Sequence, residues 1–285
     1  MTTARPDLAP PTGRRLSWSR EASFLPGPGG SAERPAVVDS WLVARGRVRG
    51  LALHEQRFQL ACSRLVPGLP RSTVRRFLTD VRRELPDEGR WFPRIGAYGG
   101  PSPRLALWMR PAPGTGDTVS LWIPQRPDPR TRPGVKGPDL PALAGLRAGA
   151  RAAGADDALL YAGDGTALEA AHSSIVWWRQ DTLCVPAPDL AVLPSVTRVL
   201  LEQLAWAWRF RVRAERCSPD ELQRVETWTL NALHGIRPVR AWVDSHGRAV
   251  EARVSGRAGE WRRALHARAL LSHALPAGGK SAAAL

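Results

Sequence analysis

Apolar residues recur along this chain with two periods, and each change of period marks an element. The stretch "VVDSWLVARGRVRG" (37–50) reads as two short strands around a turn at Arg45-Gly46. It is followed by "LALHEQRFQLACSRL" (51–65), an amphipathic helix. Ser72 is placed to cap a second helix running toward Leu85, with Val74, Phe77, Leu78 and Val81 on one face. "RWFPRIGAYG" and "RLALWMRPAP" supply further strands, giving a small α/β domain over 35–112. The Pro/Gly/Arg-rich stretch up to 134 then reads as a linker, 113–134.

The second half predicts a larger domain over 135–275. A helix covers 139–153, with Leu140, Leu143 and Leu146 apolar. Residues 156–186 give a strand, a Gly-Asp-Gly turn and two further strands. A turn at 193–195 feeds a helix, 209–217 is a strand, and "SPDELQR" is a short helix with Pro219 at its first position. "VETWTLNALHGIRPVRAWVD" closes the set as a strand, a tight turn at Gly235 and another strand. The Pro/Gly/Arg-rich residues 1–34 and the tail 276–285 lack such periodicity and are expected to be disordered. No repeat period is visible, and the fold class is α/β (α+β).

Composition narrows this further. A chain of 285 residues, 43% hydrophobic, can bury a substantial core. It contains no run near the roughly 18 apolar residues of a membrane span and no apolar signal core at its start, so no membrane association and a cytoplasmic location are expected. Cys62, Cys184 and Cys217 are too far apart for a zinc cluster and too few for a disulfide framework; no metal is expected. The net charge of +15 suggests nucleic acid, but the arginines are scattered over tail, helices and strands without a recognition motif, so no specific nucleic-acid partner follows. The twelve tryptophans are spaced like core anchors.

Candidate chemistry enters through the lysines. Of 41 basic residues only Lys136 and Lys280 are lysine. Arginine stays protonated, whereas a desolvated lysine can lose its proton and condense with an aldehyde. A composition that avoids lysine has kept one at 136.

The segments "VK" (135–136), "DDALLYAGDGTALEAAHSSIVWW" (156–178), "LPSVTR" (193–198) and "NALHGIRPV" (231–239) occur in the order of, and resemble, the class IV aminotransferase family. These fold-type IV pyridoxal-phosphate enzymes include branched-chain and D-amino acid aminotransferases and aminodeoxychorismate lyase. "HEQRF" (54–58) is similar to the family's His-x-x-Arg-Leu segment. The resemblance implies a two-domain fold, a small N-terminal α/β domain beside a larger pseudo-barrel domain. It also implies pyridoxal 5'-phosphate as cofactor and a small amino-carboxylate as substrate.

Lys136 stands 33 positions before Glu169, similar to the family's spacing between Schiff-base lysine and cofactor-contacting glutamate. The resemblance therefore makes Lys136 the catalytic residue and proton shuttle, and Glu169 the carboxylate that holds a proton on the pyridine nitrogen. Ser195, Val196 and Thr197, on a turn leading into a helix, would give the phosphate free backbone N–H groups and hydroxyls. Asn231 and Ala232 resemble the second phosphate turn, and Arg57 the phosphate arginine. His54 reads as a structural helix residue. A substrate carboxylate needs a cation, for which Arg94, Arg104 and Arg110 are equal candidates.

The chain also departs from the family pattern. The Gly-Asp-Gly-x-Phe-Glu-Thr segment is reduced to "VVDSWLV", leaving Ser40 or Asp39 to replace its hydroxyl contact. The asparagine usual five positions after the glutamate is Ser174. Three functions follow: amino transfer between an amino acid and a 2-oxo acid, lyase chemistry releasing pyruvate and 4-aminobenzoate from aminodeoxychorismate, and a binding protein of this fold without turnover. A homodimer is expected from the family, with Trp91, Trp108, Trp177 and Trp178 as interface candidates.

Overall fold

The computed structural model describes residues 13–27 and 34–272. The first part of the chain contributes β1 (Arg14–Ser19), β2 (Ser23–Pro26), β3 (Val37–Ser40), β4 (Val43–Ala44) and β5 (Arg47–Val48). Helices α1 (Leu51–Leu65) and α2 (Arg71–Glu84) follow, then β6 (Arg90–Trp91), β7 (Arg94–Tyr98) and β8 (Arg104–Met109). Beyond these come β9 (Val119–Trp122), α3 (Leu140–Ala152), β10 (Asp157–Tyr161), β11 (Ala167–Ala170), β12 (Ser174–Arg179) and β13 (Thr182–Pro186). The chain continues through α4 (Val196–Ala207), β14 (Arg211–Glu215), α5 (Pro219–Gln223), β15 (Glu226–Asn231) and β16 (Gly235–Val243). It ends in β17 (Ala249–Glu251), α6 (Ala258–Ala267) and β18 (Leu270–Leu271).

An antiparallel sheet in the order β2-β1-β8-β7-β3 has α1 and α2 on one face. Every second residue of its strands, including Leu16, Val37, Ile95, Leu105 and Leu107, enters the core with Phe58 and Phe77. The larger sheet runs β11-β10-β9-β16-β15-β12-β13-β14, with β17 on β16. Its three parallel pairings are β9 with β10, β9 with β16, and β13 with β14. A small sheet, β18-β5-β4-β6, joins the end of the described chain to its first half.

The helix over 51–65, the turn at Arg45-Gly46 and the short helix with Pro219 at its first position match the pattern reading. Four expectations need correction. Residues 14–26 are not a loose tail: Leu16 and Trp18 alternate into the core, and the Trp18 indole donates to Asp80 at 2.9 Å. The supposed linker contains β9, buried in the middle of the large sheet. Ser72 does not cap α2, which begins at Arg71 after Pro70 and has no side-chain cap bond. Three strands rather than two follow the Gly-Asp-Gly turn, because "EAAHSS" bends between β11 and β12.

The tryptophans are largely core residues. Trp261 meets the rings of Trp178, Trp208, Phe210 and Trp228 at centroid distances of 4.7 to 5.9 Å, mostly edge to face. Trp177 and Trp178 are buried in the single chain, which removes them as interface candidates; Trp91 and Trp108 are only partly buried. Trp261→Ala is expected to cost about 3–5 kcal/mol in urea unfolding followed by circular dichroism. The same change at Trp206, which is 63% exposed, should stay within about 0.5 kcal/mol. Equal midpoint shifts for the two variants would contradict this packing.

Candidate active site

Strand β3 carries Asp39 on the face turned toward α1, and α1 presents His54 and Arg57 one turn apart. Asp39 is fully buried. Its oxygens accept from Arg57 Nε (2.9 Å) and Nη2 (2.7 Å), from His54 Nδ1 (2.9 Å) and from the Ser40 N–H (2.7 Å). Burial alone would raise its pKa, but Arg57 and His54 overcome this and hold the carboxyl far below its ordinary range. Arg57 Nη1 continues to the Pro194 carbonyl at 2.8 Å. The fork expected to face a phosphate thus closes on Asp39, while Arg57 still borders the cavity described next.

Lys136 lies on the loop between β9 and α3, and its carbonyl accepts the Val38 N–H at 2.7 Å. Gly137 lets the loop press onto the chain: its φ is 155°, and a Cβ there would come within 2.6 Å of the Ala36 carbonyl oxygen. Asp139 fixes the loop from behind, accepting from the Thr131 and Arg132 N–H groups and the Thr131 hydroxyl. Desolvation pushes the Lys136 ammonium down to about 8, with Arg57, Arg94 and Arg110 adding to the shift and Asp39 opposing it.

Glu169 sits buried on β11. Its Oε1 accepts from Arg130 Nη1 at 2.5 Å and from the Leu193 N–H at 2.8 Å. Oε2 has no hydrogen-bond partner among the described residues and keeps its lone pairs free. Burial raises the Glu169 pKa, and Arg130 works against it. Arg130 is itself gripped by Asp128 through Nε and Nη2. Arg130 escaped the sequence reading because nothing in "PDPRTRP" distinguishes it among so many arginines.

One cavity of about 100 Å³ is bordered by all eight proposed cofactor residues: Lys136, Glu169, Arg57, Ser195, Val196, Thr197, Asn231 and Ala232. Ser195 is the N-cap of α4, its hydroxyl accepting from the Arg198 N–H, and Val196 and Thr197 form the first helical turn. The early N–H groups of such a turn have no intrahelical acceptor. Asn231 uses its side chain locally, accepting from the Leu233 and His234 N–H groups and donating to Ser173. Ser174 also borders the cavity.

The substrate-side candidates fall elsewhere. Ser40 and Arg94 are paired across β3 and β7, and neither they nor Arg104 or Arg110 line this cavity. Arg94 and Arg104 border a second pocket of about 210 Å³ on the sheet face away from α1, with Arg15 and Trp108. The Arg15 and Arg110 guanidiniums each lie 4.4 Å from the Trp108 ring centre, and that of Arg104 lies 3.8 Å from the Tyr98 ring centre. His54 is buried and bonded to Asp39, as a structural role requires.

The fold has solved counterparts. A fold IV transaminase from Curtobacterium pusillum superposes with a TM-score of 0.73 at 19% identity, covering 90% of this chain and 98% of its own. A branched-chain aminotransferase from Thermoproteus uzoniensis, solved with norvaline, gives 0.75 at 15% identity over 90% and 94%. A putative 4-amino-4-deoxychorismate lyase from Legionella pneumophila gives 0.70 at 15% identity over 85% and 96%. No curated protein matches the sequence. The profile of the amino-transferase class IV family matches residues 36–242, most of the chain and all the elements that border the cavity, and the chain belongs to that family.

Proposed function

We propose that the protein is a pyridoxal-phosphate-dependent aminotransferase that moves an amino group between an amino acid and a 2-oxo acid, with Lys136 as its catalytic residue. The observation that carries this reading is one cavity combining an amine of lowered pKa, a buried carboxylate with a free oxygen, and a helix N-terminus. Enzymes of this family use pyridoxal phosphate, and those groups fit it. When bound, the cofactor supplies an aldehyde and an electron-withdrawing ring that acidifies the substrate's α-hydrogen.

Lys136 Nζ would hold the cofactor's aldehyde carbon and, once the substrate's amine had displaced it, would be the free amine placed to take the α-proton and return it. Glu169 Oε2 is the oxygen available to hold a proton on the ring nitrogen. The N–H groups of Val196 and Thr197, the Ser195 hydroxyl and the turn at Asn231–Ala232 bind the phosphate, with Arg57 lending charge. Arg94 and Arg110 act on Lys136 through their charge and do not line the cavity. We read the assembly as a homodimer on family grounds. The buried free thiols of Cys62, Cys184 and Cys217 suit a reducing cytoplasm, and no described helix is long and apolar enough to cross a membrane.

A second reading, lyase chemistry, is favoured by the likeness to the Legionella protein and by "NALHG" at 231–235. It shares proton removal by Lys136 and differs afterward. An amino acid alone should bleach the near-visible cofactor band of an aminotransferase in a half-reaction. Release of pyruvate from aminodeoxychorismate with the band intact would select the lyase.

The amine must be neutral to react, so capture of pyridoxal phosphate by ligand-free protein should accelerate as pH rises through about 8, not through the ordinary 10.5. Arg110→Gln removes a repelling cation and should move that midpoint upward. Lys136→Ala should eliminate the band, whereas Lys280→Ala, outside the described residues, should leave it; a wild type that forms no band would sink the reading. Glu169→Gln should retain fold and cofactor yet lose roughly 10²-fold or more in turnover, measured under saturating cofactor. Near-normal turnover would return Glu169 to a structural role.

A further inference from the structure

The two turns read as the phosphate site come from distant parts of the chain, yet one dipeptide of the small domain touches both. Arg49 is buried, and its Nη2 donates to the carbonyls of Ala232 at 2.9 Å and Leu233 at 3.4 Å. Its Nη1 lies 3.3 Å from His266 Nδ1. Because a guanidinium only donates, that ring nitrogen is the acceptor and the neutral imidazole carries its proton on Nε2. Among the described residues no carboxylate pairs with Arg49.

The adjacent Gly50 has φ 63°, and a Cβ on it would come within 2.9 Å of Val196 Cγ1 at the start of α4. Gly235 makes room on the other side: its φ is 73°, and a Cβ there would approach Arg49 Nη1 to 3.1 Å. The turn is consequently fixed from both directions. Asn231 Oδ1 takes the N–H groups of Leu233 and His234, and Arg49 takes the carbonyls of Ala232 and Leu233. Ala232 borders the cavity, and its N–H has no acceptor among the described residues.

We propose that Arg49 is a positioning residue for phosphate binding, setting the Asn231–Ala232 turn at its working distance from the N-terminus of α4. The inference rests on reading those turns as the phosphate site. Arg49 does not reach the ligand in this role. It holds the carbonyl side of the turn so that the remaining N–H stays aimed into the cavity, and the close packing of Gly50 on Val196 supplies the opposite reference point.

The test titrates ligand-free protein with pyridoxal phosphate and, separately, with pyridoxal, which offers the same aldehyde without the phosphate. Arg49→Met removes the donors at similar volume and should weaken pyridoxal phosphate binding about tenfold while leaving pyridoxal within about twofold. Arg49→Lys, whose ammonium reaches fewer carbonyls, should give a smaller loss confined to pyridoxal phosphate; it carries the comparison where Arg49→Met does not fold. Equal weakening of both aldehydes would mean that Arg49 merely supports the fold, and would overturn the proposal, as would unchanged binding. Wild type that takes both aldehydes equally would overturn the phosphate reading of the turns themselves. A clear wild-type preference for pyridoxal phosphate with an unaffected Arg49→Met would sink the role of Arg49 alone.

Discussion

The carboxylate of Asp39 has no contact with water, and much of the cavity's architecture depends on how its charge is satisfied. An isolated buried carboxylate would cost several kcal/mol, so β3 can carry it only where Arg57 and His54 of α1 meet it. That requirement fixes the approach of α1 to the sheet. Through the third guanidinium nitrogen on Pro194, it also fixes the turn that opens α4. The next residue back on β3, Val38, holds the Lys136 main chain. Amine loop and α4 turn are therefore both referenced to one strand of the small domain.

Two ionic arrangements of opposite sense meet in the cavity. Burial lowers the Lys136 pKa, Asp39 opposes the shift, and Arg57, Arg94 and Arg110 add to it. Glu169 is buried beside a guanidinium, and burial raises its pKa although Arg130 partly offsets this. Arg130 is not itself an unbalanced cation, because Asp128 grips it along the edge away from Glu169. An amine of lowered pKa and a buried carboxylate of raised pKa thus share one small space.

The arginine-rich composition has a local counterpart on the β2-β1-β8-β7-β3 sheet. Arg15 and Arg110 both lie over the Trp108 ring, and burial, with the neighbouring guanidiniums of Arg94 and Arg15 adding to it, pushes the Arg110 pKa down to about 10. Stacking on an aromatic face suits arginine because the planar guanidinium is weakly hydrated.

The chain's local patterns determined a good deal. The 3.6-residue period of 51–65, the left-handed Arg45-Gly46 turn and the Ser218-Pro219 helix start are set by residues within one or two turns of each other, so the sequence sufficed for them. The family resemblance of the segments around Lys136, Glu169, Ser195 and Asn231 likewise named residues that the fold gathers around one cavity. Elements whose stability comes from distant partners could not be read this way. β1 and β9 are short and flanked by Pro, Gly and Arg, and become strands because β8, β10 and β16 offer them hydrogen bonds and a buried face. The same holds for Arg130 and Arg49: in a sequence with so many arginines their type carries no information, and only burial beside Glu169 or the Ala232 carbonyl gives each a distinct task. Local periodicity is a property of neighbours in the chain, whereas the partner of a buried charge is chosen by the whole fold.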